Sequence, residues 1–196
     1  MKKIKKTYST KLSLDTTNLQ PADWDYIYRY NGYEDQGSGP GSTIENTLPL
    51  IYWLESFIAN NNINSILDIG CGDLQWIPSL IKLLPSYVTY TGLDCVSSII
   101  KSHKKRYPEL SFIQNDIYSH DFTGLEDSYD LIICKDVLQH RVYDIDILDN
   151  NLKKIDSKIT LLIHPESIPL THSLIDYKWV LYYLADEKKS ISIKIK

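Results

Sequence analysis

From residue 65 onward, short apolar runs alternate with stretches of helical spacing. Ser65–Gly70, Val88–Asp94, Leu110–Asp116, Tyr129–Asp136 and Lys158–His164 read as strands. Runs such as Ile66-Leu67 and Leu131-Ile132-Ile133 lack polar alternation and predict burial on both faces, as in a parallel sheet. Helical segments near 73–84, 96–106 and 137–155 supply the crossovers. Lys178–Ala185, a polar turn at Asp186–Lys189 and Ser190–Ile195 read as an antiparallel hairpin. Five alternating β/α units followed by a hairpin predict an α/β fold. It is a doubly wound three-layer sandwich whose seven-stranded, mostly parallel sheet ends in that hairpin.

The first sixty residues follow a different pattern. Residues 1–20 are polar and read as a loosely ordered N-terminal segment. Pro21 opens the aromatic stretch Asp23-Trp24-Asp25-Tyr26-Ile27-Tyr28-Arg29-Tyr30, a short helix with proline in its first turn. The alternating aromatics also suit a strand. Gly37-Ser38-Gly39-Pro40-Gly41-Ser42 is a loop by its turn residues. Ser42-Thr43-Ile44-Glu45 has the form of a capping box, with Ser42 as the cap, so a helix runs to about Asn60 and bends at Pro49. The chain thus divides into residues 1–20, a helical or lid segment over 21–60, and an α/β domain over 61–196.

Composition narrows the class. A chain of 196 residues fits one domain, and 43% hydrophobic with 23% charged residues is ordinary for a globular protein. No apolar run approaches the ~20 residues that span a bilayer, and Met-Lys-Lys-Ile-Lys-Lys leads into no hydrophobic stretch. Neither a transmembrane helix nor a secretory signal is expected, which predicts a cytoplasmic protein with no membrane partner. The cysteines Cys71, Cys95 and Cys134 are odd in number and lack Cys-x-x-Cys spacing, against a disulfide framework or a zinc site. A net charge of -4 disfavours nucleic acid as a partner. The cluster Lys2, Lys3, Lys5 and Lys6 is the exception, and it reads as a solvated terminus.

The strongest chemical signal is Leu67-Asp68-Ile69-Gly70-Cys71-Gly72-Asp73, placed where a strand ends. Open α/β sheets bind ligands there, at the carboxyl ends of strands near the topological switch point. Gly70 and Gly72 let the backbone turn tightly and approach a ligand. Asp94 ends the second strand, where a carboxylate accepts from both hydroxyls of a ribose. Asp116 ends the third, where it accepts from an exocyclic adenine amine. Backbone N–H groups near Asp73 suit a carboxylate rather than a pyrophosphate. A nicotinamide dinucleotide wants a third glycine in G-x-G-x-x-G, and Gln75 stands there.

These residues resemble the class I S-adenosylmethionine-dependent methyltransferases over roughly residues 60–195. The resemblance implies a Rossmann-like fold and S-adenosylmethionine as cofactor. The cofactor set it implies is Asp68, Gly70, Cys71, Gly72, Asp73, Trp76, Asp94, Cys95, Asp116, Ile117 and Lys135. A poorly characterised subgroup is resembled more narrowly, through the stretch Gly37–Thr47, through Gly72-Asp73 with Trp76, and through Asp130–His140. The cysteines read as small thiols packing under the cofactor rather than as nucleophiles.

On the acceptor side, Asp136 closes the fourth strand and His140 follows four residues later. On a helix that spacing sets both on one face, so Asp136 orients His140 and the imidazole serves as general base. His164, at the end of the fifth strand, is held in reserve as a third catalytic candidate. No metal is assigned. Trp24, Tyr26, Tyr28, Tyr30 and Tyr33 suit stacking on a sugar or ring, and equally suit packing of a helix on the sheet. Ser38 and Gly39 belong to a glycine-rich lid. A candidate base, an aromatic segment and the lack of a strong basic surface predict methylation of a sugar or glycan hydroxyl. Another small molecule, a protein, nucleic acid or a non-catalytic cofactor-binding subunit are the alternatives. The Asn/Asp-Pro-Pro-Tyr motif of many enzymes that methylate amines on nucleic acid is replaced by Cys134-Lys135-Asp136-Val137. A homodimer is compatible with the sequence.

Overall fold

The computed structural model describes residues 17–30, 37–165, 178–184 and 187–196. The N-terminal lysine cluster, Tyr33 and most of residues 1–20 lie outside these residues. Among the described residues, seven strands form one sheet: β1 (Ser65–Ile69), β2 (Thr89–Asp94), β3 (Ser111–Gln114), β4 (Tyr129–Lys135), β5 (Ser157–Pro165), β6 (Lys178–Leu184) and β7 (Glu187–Ile195). Their order is β3-β2-β1-β4-β5-β7-β6. β1 to β5 are mutually parallel, and β7 runs antiparallel between β5 and β6. The expected seven-stranded doubly wound sandwich is the observed one.

Each central strand is sealed on both sides, as its uninterrupted apolar run requires. On β4, Leu131 and Ile133 belong to one core cluster, while Ile132 and Cys134 belong to the other. The first cluster is covered by α2 (Ile44–Asn60) through Leu50, Ile51, Leu54 and Ile58, and by the short α3 (Ile77–Ile81). The second is covered by α5 (Ile145–Leu152) through Ile145, Leu148 and Leu152. α4 (Ser97–Arg106) connects β2 to β3. Because β2 and β4 flank β1 on opposite sides, the chain reverses its winding at the end of β1. That is where a crevice opens in such sheets.

Several local expectations shift. α1 spans Pro21–Tyr30, so the aromatic stretch is a helix and not a strand. Thr43, not Ser42, caps α2: its side chain accepts from the Asn46 N–H at 3.4 Å, while Ser42 lies in the 3-10 turn Pro40–Ser42. The helix expected over 73–84 shortens to α3, because Gly72 (φ 56°) and Leu74 (φ 61°) hold the chain in left-handed turns. The helix expected over 137–155 is two 3-10 turns, Leu138–His140 and Val142–Asp144, followed by α5. Asp136 leaves β4 at φ 55°, and Arg141 breaks the helical path at φ -148°, ψ 59°. β7 begins at Glu187, so residues 187–189, expected as turn, pair with β6. No described helix is long and apolar enough to cross a membrane.

Candidate active site

The glycine turn after β1 is tied to β2. The N–H groups of Gly70 and Cys71 donate to the Leu93 carbonyl at 2.8 and 3.1 Å. Gly70 (φ 72°) and Gly72 (φ 56°) occupy the left-handed region, which costs a residue with a Cβ. Space is short as well: a Cβ on Gly72 would lie 2.3 Å from the Ser38 hydroxyl, and one on Gly70 2.4 Å from Val137.

Asp94 joins this turn to the next helix. Its Oδ2 accepts from the Gly72 N–H at 3.0 Å and its Oδ1 from the Val96 N–H at 2.9 Å. Burial raises its pKa, and these two N–H groups oppose the rise. The Cys95 thiol also hydrogen-bonds to this carboxylate, which lines the cavity beside the turn. Asp68, one strand over, accepts from the Tyr90 hydroxyl at 2.7 Å. Burial pushes its pKa up to about 7, against the pull of Tyr90 and Lys135.

Asp73 does not begin a helix. Its carboxylate accepts from the Ser38 hydroxyl at 2.6 Å, and its N–H donates back to Ser38 Oγ at 3.1 Å. The Tyr28 hydroxyl lies 3.3 Å from the same Ser38 oxygen, and burial raises the Tyr28 pKa well above its usual value. Gly37 faces Asp73 where no side chain fits. The glycine-rich segment therefore rests on the β1 turn. A second tie is Lys135, whose ammonium donates to the Gly41 carbonyl at 2.8 Å. A third is residues 17–19, which pair with the loop after β4: the Leu19 N–H donates to the His140 carbonyl at 2.8 Å, and Asn18 bridges Arg141.

On the adenine side, Asp116 accepts from the Tyr118 N–H at 2.9 Å and from Arg141 at 3.3 Å. The Arg141 guanidinium also binds Asp144 at 2.6 Å and sits 4.7 Å over the Tyr118 ring. Ile117 and Trp76 are buried and line the same cavity. Sequence reading missed Arg141, because its partner Asp116 lies 25 residues away with no periodicity linking them.

The acceptor end departs most from expectation. Asp136 and His140 do not share a helical face, since Leu138–His140 is a 3-10 turn. Asp136 instead meets two buried ammoniums, Lys135 at 2.5 Å and Lys189 at 2.7 Å, one on each oxygen. Those charges hold its carboxyl below the usual range despite burial. Asp136 is thus a fixed anion and a weak base, and no local pattern points to Lys189, 53 residues away. The His140 ring sits edge-on to Trp24, centroids 4.7 Å apart, and Trp24 stacks on Tyr28 at 5.8 Å. His164 is fully buried, within 2.9 Å of the Pro165 carbonyl, and burial lowers its pKa. It is not among the residues lining the cavity. Burial raises the pKa of all three thiols, Cys71, Cys95 and Cys134. Each stays protonated at neutral pH and is a poor nucleophile.

Glycine turn, carboxylates and aromatic wall enclose one cleft of about 900 Å³, counting its open mouth. Asp94, Asp116, Asp136 and His140 all line it, together with Trp24 and Ser38. The cleft lies at the carboxyl ends of parallel strands, with a left-handed glycine turn at one end and buried acids on adjacent strands. These residues fit a nucleoside with a charged amino-acid tail. Residues 66–155 match a family model described as a methyltransferase domain. No curated protein sequence matches the chain.

Many solved structures are similar in fold, the following three among them. Magnesium protoporphyrin IX methyltransferase from Synechocystis PCC 6803, with bound SAM, is 13% identical with a TM-score of 0.63. The match covers 91% of this chain and 98% of that one. A TehB-like SAM-dependent methyltransferase from Corynebacterium glutamicum ATCC 13032 is 14% identical with a TM-score of 0.58, covering 90% and 100%. A structure described by the conversion of a disulfide bond into a thioacetal group during echinomycin biosynthesis is 15% identical, with a TM-score of 0.64 and coverage of 89% and 91%. Over residues 66–155 the chain matches a methyltransferase domain, and its fold is that of the S-adenosylmethionine-dependent methyltransferases to which it is similar. By that match it is a methyltransferase.

Proposed function

We propose that the protein methylates a hydroxyl group of a small molecule, foremost a sugar, free, nucleotide-linked or within a glycan. The observation that carries this reading is the placement of His140 and Asp136 at one cleft with the glycine turn, against the aromatic wall of Trp24 and Tyr28. Bound S-adenosylmethionine supplies an electrophilic methyl group on a sulfonium. Asp94 would hold its ribose, Asp116 its adenine amine, and the turn from Gly70 to Asp73, with the Tyr28 hydroxyl, its amino-acid tail. Trp76, Cys95, Ile117 and Lys135 would complete the contact surface.

A hydroxyl is a weak nucleophile and gains from a base that titrates near neutrality. An imidazole, with an ordinary pKa of about 6.5, supplies one. Asp136, held ionised by Lys135 and Lys189, would accept a hydrogen bond from the incoming hydroxyl and aim it. The flat faces of Trp24 and Tyr28 would stack on the acceptor. Residues 21–60 would act as the lid and acceptor wall, and the domain proper as the cofactor support. Three protonated, unpaired thiols fit a reducing compartment such as the cytoplasm.

An amine is the rival acceptor: the excess of carboxylates over Lys135 and Arg141 around the cleft would attract its cationic form, which must lose a proton before its nitrogen can take the methyl group. Incubation with methyl-labelled S-adenosylmethionine and a panel of nucleotide sugars, oligosaccharides, catechols and amines separates the two. Label should enter sugars as an alkali-stable ether, at a rate that His140→Ala lowers. Label entering amines alone would overturn the hydroxyl reading.

A further inference from the structure

His103 stands in α4 within the run Lys101 to Arg106, where its neighbours Lys104, Lys105 and Arg106 are exposed. It alone of these is buried, at 6% exposure, with its ring 5.3 Å from that of Phe112 on β3. Its Nε2 lies 2.7 Å from the carbonyl oxygen of Gly72. A carbonyl only accepts, so Nε2 carries the proton and donates.

That contact falls on the peptide that matters most to the site. The Gly72–Asp73 peptide presents its carbonyl to His103 and its N–H to Ser38 Oγ, 3.1 Å away. The preceding peptide presents the Gly72 N–H to Asp94. A glycine at φ 56° has no Cβ to fix the rotation of the peptides on either side. Outside partners must fix them. Turned over, the Gly72–Asp73 peptide would point its carbonyl toward the Ser38 hydroxyl and release the N–H that seats it. It would also break the carbonyl's 2.7 Å hydrogen bond from His103, far shorter than its 4.0 Å contact with the Cys71 thiol.

We propose that His103 is a positioning residue for cofactor binding: by donating to the Gly72 carbonyl from the α4 side, it fixes the peptide on which Ser38 and the cofactor's tail both depend. The histidine acts through Gly72 and touches no reacting atom. Losing a buried hydrogen bond of this kind should cost affinity by about tenfold or more. The size follows from the donor, not from the ring: a glutamine amide reaches as far as Nε2, whereas an asparagine amide falls short.

The test is calorimetric titration of S-adenosylhomocysteine into His103→Phe, His103→Asn and His103→Gln. It is paired with the melting temperature of each variant without ligand and hydrogen exchange at the Asp73 amide. The Phe and Asn variants should bind about tenfold or more weakly, with faster exchange at Asp73. The Gln variant should bind within about threefold of wild type even if its melting temperature falls as far as theirs. Should the Phe variant fail to fold, the Asn and Gln pair decides the matter. Binding within about threefold in the Asn variant, or binding in the Gln variant as weak as in the Asn variant, overturns the proposal.

Discussion

Asp94→Ala should weaken S-adenosylhomocysteine binding by at least ~100-fold while the chain stays folded. Two losses combine. The alanine removes the acceptor proposed for the ribose, and it releases the Gly72 and Val96 N–H groups that Asp94 now holds at 3.0 and 2.9 Å. Hydrogen bonds to a charged group contribute about 1.5–3 kcal/mol each, so losing two exceeds the ~2.7 kcal/mol that a hundredfold represents. Asp94→Asn should fall between wild type and alanine, because one oxygen still accepts while the amide cannot serve the second N–H. Circular dichroism establishes that the fold persists, and calorimetry reads the affinity. A folded alanine variant that binds within tenfold of wild type would show that Asp94 has only its structural role at the start of α4.

His140→Ala should lower turnover by at least ~100-fold and leave S-adenosylhomocysteine affinity within about threefold. The imidazole lies against Trp24 and is assigned no contact with the cofactor, so its removal should act on the acceptor side. His140→Phe separates chemistry from packing, since phenyl keeps the aromatic edge against Trp24 but cannot take a proton. Both variants should be equally slow in single-turnover methyl transfer. Recovery of activity in the Phe variant would make His140 a piece of wall, and wild-type activity in the Ala variant would remove it from the reaction.

What could be read from the chain divides along a physical line. The sheet was legible because strands sealed on both faces, as β4 is by Leu131, Ile133 and Ile132, Cys134, leave uninterrupted apolar runs. Asp68, Gly70, Gly72, Asp94 and Asp116 were legible because the same runs locate strand ends, where an open α/β sheet has its crevice. The helices after β1 and β4 were misread because Leu74 and Asp136 take left-handed backbone conformations that non-glycine residues rarely adopt, so no local cue foretells them. The partnership of Asp136 was misread for a second reason. Four-residue spacing pointed to His140, whereas the partners of Asp136 are the adjacent Lys135 and, arriving from β7 through tertiary structure, Lys189. Ser38 on Asp73 and His103 on Gly72 are likewise long-range contacts. His103 was hidden further by the basic run around it, whose exposed neighbours set the apparent character of the segment.

The most direct measurement is calorimetric titration of the wild-type protein with S-adenosylmethionine, S-adenosylhomocysteine and NAD under one set of conditions. Binding of the first two in the micromolar range (about -8 kcal/mol), with no heat from NAD, is the expected result. Binding of NAD, or silence from both S-adenosyl compounds, would contradict the assignment of the cleft and leave a doubly wound domain built for another ligand.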